Sequence, residues 1–395
     1  MIKSKKMLAV AAVAAVGVAA CGSDEASDDG GASAESATTE AMTEGTEAMT
    51  EGTDAMTEGT DAMTEGTGGG GEAPSGDIGV GLTYDIGGRG DQSFNDSAFA
   101  GTERAAEELG ISYTEAVPND DGSNRAELLQ LQADENDLVL GVGFLFADDV
   151  VNAAADNPDT LFAVVDDAML DEDGEPRCEN CAGLTFAEEQ GSFLVGAAAA
   201  LHSETGTIGF LGGVSGFGLI EKFEAGFQAG AQAVNPDIEI IAQYITEAPD
   251  FDGFVAPDRA REIALSMYSD GADVIYHAAG ASGAGLFEAA SEQSGSSGSK
   301  VWAIGVDSDQ FETAAPELQE FILTSMLKRV DNAVFEITAA AADGSFSPGQ
   351  VVYDLEVDGV GYSTSGGFVD EYVDQLEEFK SQIVDGTITV PTEPS

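Results

Sequence analysis

Short apolar runs alternate with longer amphipathic segments from Ile78 onward, and this alternation constrains the fold more than any other feature of the chain. The apolar runs have the length of buried strands, and they are Ile78–Thr83, Ser112–Ala116, Leu138–Val142, Leu161–Val165, Ala182–Phe186, Thr207–Leu211, Ile238–Tyr244, Val274–His277, Val301–Val306 and Phe321–Ser325. The segments with helical periodicity are Ser97–Leu109, Ser123–Ala133, Phe146–Asn157, Glu188–Leu201, Leu219–Val234, Ala256–Asp270, Gly285–Gln293, Asp331–Ala342 and Asp370–Val384. A repeated strand–helix order predicts parallel sheets covered by helices on both faces. The strands are too many for one compact sheet, so we expect two doubly wound, Rossmann-like α/β lobes with a cleft at the carboxyl ends of the strands.

The loops that follow these strands are rich in glycine and carboxylates. The longest is Asp85–Asn95, in which glycines let the backbone approach a ligand and the following helix offers free N–H donors. The other loops of this kind are Gly143-Phe144, Asp166-Asp167, Gly212–Phe217, Gly280–Gly285 and Asp307–Gln310. Turns between strands and helices commonly carry Gly and Asp. Because a carboxylate accepts two hydrogen bonds in one plane, however, these loops also suit the vicinal hydroxyls of a sugar.

The first 76 residues are typical of an export signal followed by a tether. Lys3, Lys5 and Lys6 precede the apolar run Met7–Ala20, which is too short to span a bilayer and ends in small residues. The Val-Ala-Ala-Cys tetrapeptide ending at Cys21 resembles the lipobox of bacterial lipoproteins, and that resemblance implies a signal peptide over 1–20 and a lipid on Cys21. Plain secretion with an incidental cysteine is the alternative. Residues 21–76 contain 14 acidic residues, no Lys or Arg, and a seven-residue repeat with one Met in each unit, a composition that predicts a disordered linker.

The charge balance limits the classes of partner. The 319 residues from Asp77 to Ser395 carry 59 acidic and 11 basic residues. Phosphate contacts need Lys and Arg, so nucleic acid and anionic lipid are excluded as partners of this part. We also expect the protein to work in a saline medium, because salt would screen the repulsion between so many carboxylates.

The cysteines and histidines predict a disulfide and no metal site. Cys178 and Cys181 form a CxxC in an exported chain, which favours a disulfide over a redox pair because no helix follows them directly. The histidines, His202 and His277, are isolated and offer no ligand spacing. Catalytic signatures are incomplete, since three GxG stretches do not extend to GxGxxG and no GxxxxGK[ST] loop is present. We therefore predict a binding protein with no cofactor, although an exported enzyme remains an alternative.

Several motifs resemble those of one family in order along the chain. The most specific is Asp91-Gln-Ser-Phe-Asn95, which is similar to the D-x-S-F-N motif of the basic membrane protein (PnrA-like) family of ABC transporter lipoproteins. The further matches are Gly141-Val-Gly-Phe144, Leu184-Thr-Phe186 with Glu188, Glu189, Gly191 and Gly196, Ile208-Gly-Phe210 with Gly213, Phe223 with Gly226 and Gly230, Gly271-Ala-Asp273, Ala279-Gly280-Ala-Ser-Gly283, Ile304-Gly-Val-Asp307-Ser-Asp-Gln310, and Thr324-Ser325 with Lys328 and Asp331. The resemblance covers about Asp77 to Ser345.

This resemblance implies a type I periplasmic-binding fold with two hinged lobes. The ligand-binding domain would span 77–390, with lobe 1 at about 77–186 plus 307–345 and lobe 2 at about 187–306 plus the C-terminal segment. The resemblance assigns ligand contacts to Asp91, Phe94, Asn95, Phe144, Asp166, Phe251, Ser282, Gly283, Asp307 and Lys328. Phe94 would stack on a base and Asp307 would accept ribose hydroxyls. From the residues alone, Phe94 could instead be a helix-entry staple and Asp307 a helix cap, and Asp85 is left open between ligand contact and cap.

The implied function is capture of a nucleoside, expected to be a purine nucleoside, outside the cytoplasm. The protein would be a monomer that is held to the cell membrane by its N-terminal lipid alone and delivers the ligand to the permease and ATPase of an ABC importer. The alternatives are a sugar-binding protein of the same fold, an exported nucleoside-processing enzyme and a ligand sensor.

Overall fold

The computed structural model describes residues 78–119 and 122–395, so the predicted signal peptide, Cys21 and the acidic linker lie outside the described residues. The strands are β1 (Gly79–Thr83), β2 (Ser112–Ala116), β3 (Leu138–Gly141), β4 (Leu161–Val165), β5 (Cys181–Phe186), β6 (Thr207–Ser215), β7 (Glu239–Glu247), β8 (Val274–Ala278), β9 (Trp302–Asp307), β10 (Ile322–Lys328), β11 (Gly349–Tyr353) and β12 (Val360–Tyr362). The helices are α1 (Phe94–Leu109), α2 (Arg125–Glu135), α3 (Ala147–Asp156), α4 (Glu188–His202), α5 (Leu219–Val234), α6 (Pro257–Ser269), α7 (Gly283–Ser297), α8 (Gln310–Thr313), α9 (Pro316–Gln319), α10 (Val330–Asp343) and α11 (Val373–Val384).

The described chain forms two six-stranded sheets, which confirms the prediction of two doubly wound α/β lobes. The first sheet has the order β11-β5-β4-β3-β1-β2, and the second has the order β12-β10-β9-β8-β6-β7. Every pair is parallel except β10 with β12, which is antiparallel. The central strands are buried on both faces, and for this reason they occur in the sequence as continuous apolar runs; they are β1, β3, β4, β5, β6, β8, β9 and β10.

The division of the chain between the lobes differs from the expected one. Strand β10 pairs with β9 and therefore belongs to the second sheet, whereas residues 307–345 were expected in the first lobe. The following helix α10 does pack on α1 of the first lobe. Strand β11 joins the edge of the first sheet beside β5, although the segment after residue 345 was expected in lobe 2. An apolar run does not encode which sheet it joins, so the sequence could not reveal these exchanges.

Three connections of the described chain therefore pass between the lobes. The first lies at Ala187, between β5 and α4, and the second at Arg329, between β10 and α10. The third joins β11 to β12 through residues 354–359. Backbone hydrogen bonds tie the connections together, because Ala187 donates to the Tyr353 carbonyl and Arg329 donates to the Gly359 carbonyl. These segments form the hinge side of the cleft.

Helices α4 and α5 pack unusually close in the second lobe, and glycine makes this approach possible. A Cβ at Gly226 would overlap the Glu189 carbonyl, and a Cβ at Gly230 would overlap the Phe193 carbonyl. These motif glycines therefore serve helix packing rather than ligand binding.

The predicted disulfide is present between Cys178 and Cys181, with their Cα atoms 5.4 Å apart. It closes the loop between β4 and β5, where Arg177 donates to the Met169 carbonyl. No helix in the described residues is long and apolar enough to cross a membrane.

Candidate functional site

A cavity lies between the two lobes, at the carboxyl ends of their strands. The first lobe contributes Asp85, Ile86, Asp91, Phe94, Asn95, Phe144 and Asp166 to its lining. The second lobe contributes Leu219, Ile220, Phe223, Phe254, Ala278, Ala279, Gly280, Ala281, Val306, Asp307 and Lys328. Seven of the ten residues that the family resemblance assigned to the ligand thus line one cavity. Its lining is mostly apolar with a few convergent charged groups, as in small-molecule sites generally.

Asp91 lines the cavity and also holds the start of α1. Its Oδ1 accepts hydrogen bonds from the N–H groups of Ser93 (3.0 Å) and Asp96 (3.1 Å), and its Oδ2 accepts one from Asn95 (2.8 Å). A carboxylate at a helix N-terminus satisfies donors that have no partner within the helix. Burial raises the pKa of Asp91, and these three bonds oppose the rise. Asp91 therefore shapes the loop that presents Phe94 and Asn95 to the cavity.

Asp85 is a cavity residue that the sequence left open between contact and cap. The Asp85 N–H donates to Asn95 Oδ1 (3.1 Å), while the Asp85 carboxylate accepts from Ile86 N–H (2.8 Å) and lies 3.9 Å from Arg125. Burial raises the pKa of Asp85 to about 6. Its carboxylate packs against Gly143, whose φ of +108° and lack of a Cβ make that approach possible. The sequence signal for Asp85 was its place at the start of the glycine-rich loop after β1.

Asp166 directly follows β4, and Asp307 is the last residue of β9. Both residues occupy the left-handed region of backbone space. Their φ angles are +69° and +63°, a conformation that non-glycine residues seldom adopt and that costs roughly 1–3 kcal/mol. Both side chains face the same cavity from opposite lobes. Burial raises the pKa of Asp307 to about 6, and Lys328 and the hydrogen bond from Ser93 oppose that rise. Strain of this kind is characteristic of functional sites, where the surrounding structure holds a side chain in a required direction.

Lys328 is the centre of a buried ion cluster at the hinge side of the cavity. Its Nζ lies 2.6 Å from Asp166 Oδ1 and 3.2 Å from Glu188 Oε1, and Lys222 Nζ lies 3.2 Å from Glu188 Oε2. The Lys328 side chain is 2% exposed, and that of Glu188 is 1% exposed. Neighbouring carboxylates raise the pKa of Lys328 against the effect of burial. Lys328 thus lines the cavity already paired, and Glu188 is a partner that sequence reasoning did not assign.

Aromatic rings surround the cavity, but not all of those expected. Phe94 of the first lobe and Phe223 and Phe254 of the second line it. Phe144 lines it as well and stacks on Phe217 of the opposite lobe, with ring centroids 4.8 Å apart. The expected contact Phe251 is outside the lining. Its ring packs against Phe144 and Phe217 (5.9 and 5.8 Å), because the 3-10 turn Phe251–Phe254 carries Phe254 to the cavity instead.

Ser282 and Gly283 also lie outside the lining, contrary to the assignment from the family resemblance. The Ser282 hydroxyl donates to the Gly253 carbonyl (2.7 Å) and accepts from the Ala256 N–H (2.7 Å), so it joins two turns of the second lobe. Gly283 leaves room for the His277 ring, which a Cβ would overlap. The cavity wall in this region is formed by Ala278, Ala279, Gly280 and Ala281.

The two histidines lie away from the cavity lining. His277 is fully buried, and its Nε2 is 2.9 Å from Gln310 Oε1. Burial lowers the pKa of His277 to about 4. His202 packs edge-on against Trp302, with centroids 4.7 Å apart. Within the described residues, no group of three or more His, Cys, Asp or Glu side chains is arranged to hold a metal ion.

Two α/β lobes, joined by the hinge connections and enclosing a cavity between strand ends, define a solute-binding protein. Both lobes supply carboxylate and aromatic groups to the cavity, so a ligand would be contacted from both sides and held away from water. Solved structures agree with this class. A solute-binding protein of an ABC transporter system from Aeropyrum pernix has a TM-score of 0.68 at 26% identity, over 80% of this chain and 94% of that one.

The chain belongs to the Bmp family, described as ABC transporter substrate-binding protein PnrA-like, which matches residues 79–393. A relative from Listeria monocytogenes, named CD4+ T-cell-stimulating antigen, is 37% identical over 333 residues, or 80% of this chain and 89% of its own length. A protein from Lactococcus lactis, named ABC transporter nucleoside-binding protein BmpA, is 32% identical over 328 residues, or 80% and 90% of the two chains. This membership confirms the family resemblance read from the motifs. The family is one of solute-binding proteins rather than enzymes.

Proposed function

We propose that the protein captures a purine nucleoside outside the cytoplasm and delivers it to an ABC importer. The observation that carries this proposal is one cavity that combines aromatic rings with carboxylates from both lobes. A nucleoside has matching parts, since its base is a flat apolar ring system and its ribose carries vicinal hydroxyls. The similarity to a relative named as nucleoside-binding supports the same ligand class.

The rings would hold the base. Phe94 faces the cavity from the first lobe, and Phe223 and Phe254 face it from the second, so a flat ligand would be enclosed between apolar surfaces. A purine presents a larger face than a pyrimidine and would gain more from this enclosure. Asn95 would read the base edge, because among the described residues its Nδ2 has no acceptor while its Oδ1 is engaged by Asp85.

The carboxylates would hold the ribose and select an uncharged ligand. Asp85, Asp91, Asp166 and Asp307 all line the cavity. Among the described residues of the lining, Lys328 is the single cation, and it is already paired with Asp166. A phosphate group would meet net negative charge and no free cation, so a nucleotide is disfavoured. A ribose hydroxyl, in contrast, can donate to Asp307 with no charge to compensate.

Export and anchoring complete the proposal. The signal-like segment and the cysteine at position 21 support secretion with a lipid on Cys21, which would keep a monomeric binding protein near the permease and its ATPase. The acidic linker would act as a spacer between the lipid and the folded part.

Calorimetry with the purified protein would test the ligand class. We expect inosine, adenosine or guanosine to bind, uridine to bind more weakly, and the corresponding 5′-monophosphates to give no heat. Binding of ribose or glucose in place of any nucleoside would favour the sugar-binding alternative, which the same carboxylates would also suit. Chromatography of the ligand after incubation should recover it intact, and its conversion to base and ribose would identify an enzyme.

A further inference from the structure

The two lobes contact each other directly through hydrogen bonds beside the cavity. Ser93 Oγ donates to Asp307 Oδ2 (2.5 Å), Ser308 Oγ donates to the Ser93 carbonyl (3.0 Å), and Gln310 Nε2 donates to the Gln92 carbonyl (3.1 Å). Gln92 and Ser93 precede α1 of the first lobe, whereas Asp307, Ser308 and Gln310 lie at the end of β9 and the start of α8 in the second. We call these five residues the interlobe latch.

The orientation of the Gln310 amide follows from its neighbours. Its Oε1 must be the atom that accepts from the Val306 N–H (2.9 Å), because an N–H cannot donate to an NH₂ group in this way. The same oxygen faces His277 Nε2 (2.9 Å), so His277 carries its proton on Nε2. The Gln310 NH₂ group is thereby directed at the Gln92 carbonyl of the other lobe.

The latch is rigid on the second-lobe side and strained on both sides. Gln310 is 2% exposed, its backbone N–H donates to Ser325 Oγ (3.1 Å), and its side chain occupies space that a Cβ at Gly305 would invade. Gln92 has a φ of +54°, and Asp307 has the φ of +63° described above. The hydrogen bonds of the latch therefore hold backbone conformations that free loops would seldom adopt.

We propose that the interlobe latch stabilises the closed arrangement of the lobes without help from a ligand, and that Gln310 is the positioning residue that directs it. The latch uses only protein groups, so it can form in the free protein. Asp307 belongs to both the latch and the cavity lining, with Oδ2 bonded to Ser93 and Oδ1 left to accept from a ligand. The role in affinity rests on the proposed function, whereas the role in closure does not.

The consequence is that affinity depends on how often the free protein is closed. An apparent dissociation constant rises in proportion as the closed fraction falls, although no contact to the ligand has changed. Variants of Ser308 and Gln310, which do not line the cavity, should therefore weaken binding through closure alone.

Interlobe distances in the ligand-free full chain would test the latch. Spin labels attached at Glu107→Cys on α1 and Glu262→Cys on α6 would report the distance between the lobes by double electron–electron resonance. Cys21→Ser would prevent a third label from attaching at position 21. Gln310→Glu keeps the acceptor for Val306 and His277 and replaces the donor to Gln92 with an oxygen. Ser308→Ala removes one donor and nothing else. Gln319→Glu is the matched control, because Gln319 donates to the Ala314 carbonyl within the second lobe.

We expect the unaltered free chain to show a major short-distance population, and Gln310→Glu and Ser308→Ala to shift it to longer distances. Saturating inosine should restore the short distance, with apparent affinity reduced about tenfold for Gln310→Glu and about threefold for Ser308→Ala. If Gln310→Glu does not fold, Ser308→Ala decides. Unchanged distances in the variants, or long distances in the unaltered free chain, would overturn the latch. A shift in the free variants with no nucleoside binding by any chain would support the latch and refute the proposed ligand.

Discussion

Replacement of Lys328 with methionine tests the buried ion cluster most directly. The substitution keeps the length of the side chain but leaves Asp166 and Glu188, which now lie 2.6 and 3.2 Å from Nζ, without their shared cation. Removal of one partner from a buried ion pair costs about 3–5 kcal/mol, because the remaining charge is desolvated and unpaired. That loss is a large part of the 5–15 kcal/mol by which a typical domain is stable.

Lys222→Met is the matched control. Lys222 contacts the same Glu188 at 3.2 Å, but its side chain is 34% exposed, so water screens the pair and the expected loss is about 0–1 kcal/mol. Urea unfolding of the ligand-free proteins would give both values. A Lys328→Met protein within 1 kcal/mol of the unaltered chain, or equal to Lys222→Met, would refute the structural role of the cluster.

The pH dependence of Lys328→Met gives a second readout. Burial raises the pKa of Asp166, and Lys328 now opposes that rise. Without Lys328, the pKa of Asp166 in the folded protein would therefore lie still further above its pKa in the unfolded chain. Protonated Asp166 contributes its full stabilisation below the pKa of the unfolded chain, and this contribution is lost as the pH rises through the pKa of the folded protein. The deficit of Lys328→Met should therefore be smaller at pH 5 than at pH 8, and a larger deficit at pH 5 would contradict this reasoning.

Four further predictions concern the ligand, the solvent and the disulfide. Asp307→Ala should weaken nucleoside binding by about 2–3 kcal/mol in calorimetry, because a buried charged acceptor is lost, whereas Asp309→Ala outside the lining should not. Since burial raises the pKa of both Asp85 and Asp307 to about 6, acidification from pH 7.5 to pH 5 should protonate these acceptors and weaken binding, and equal affinities at the two values would contradict their role. The Cys178→Ser, Cys181→Ser double variant should lose about 2 kcal/mol of stability in urea with affinity retained, and loss of binding would place the pair in the site. Added NaCl should raise the melting temperature through screening of the acidic surface, and a flat or falling response would refute the saline expectation.

The sequence predicted the strands and helices well where burial alone determines the pattern. Strands β2 and β4 and helix α5 have the predicted limits, and the other long elements differ only at their ends. Strands β11 and β12 were missed because they are short and lie at sheet edges, where Val351 and Val352 remain exposed. The expected lobe of β10 was wrong for another reason, because the strand that β10 pairs with is determined by contacts between residues distant in the chain.

The candidate site was predictable where a motif fixes a backbone position, and less predictable where contacts with distant neighbours determine the position of a side chain. Asp91, Phe94 and Asn95 lie together because one loop carries all three into α1. Phe251 and Phe254 share a single turn, and only its geometry decides which ring lines the cavity. Ser282 is a polar residue beside a glycine-rich turn, as a ligand contact would be, but its hydrogen bonds close that turn instead.

The partners of Lys328 and the interlobe latch depend on residues that are distant in the chain. Lys328 lies 162 positions from Asp166 and 140 from Glu188, and a single sequence contains no signal that links them. Ser93 and Asp307 are 214 positions apart. In the sequence, Gln310 is only the last residue of a motif, whereas its role depends on the orientation of its amide between Val306, His277 and Gln92.

The exchange of strands between the lobes has a consequence for the order in which the chain can fold. The first sheet is completed by β11 at Gly349–Tyr353, and the second by β12 at Val360–Tyr362, both near the end of the chain. In a chain that emerges with its N-terminus first, β5 and β10 therefore keep an open edge until about the last eighth of the chain is available. Both sheets are therefore completed by pairings between distant parts of the chain, so we expect both lobes to mature late.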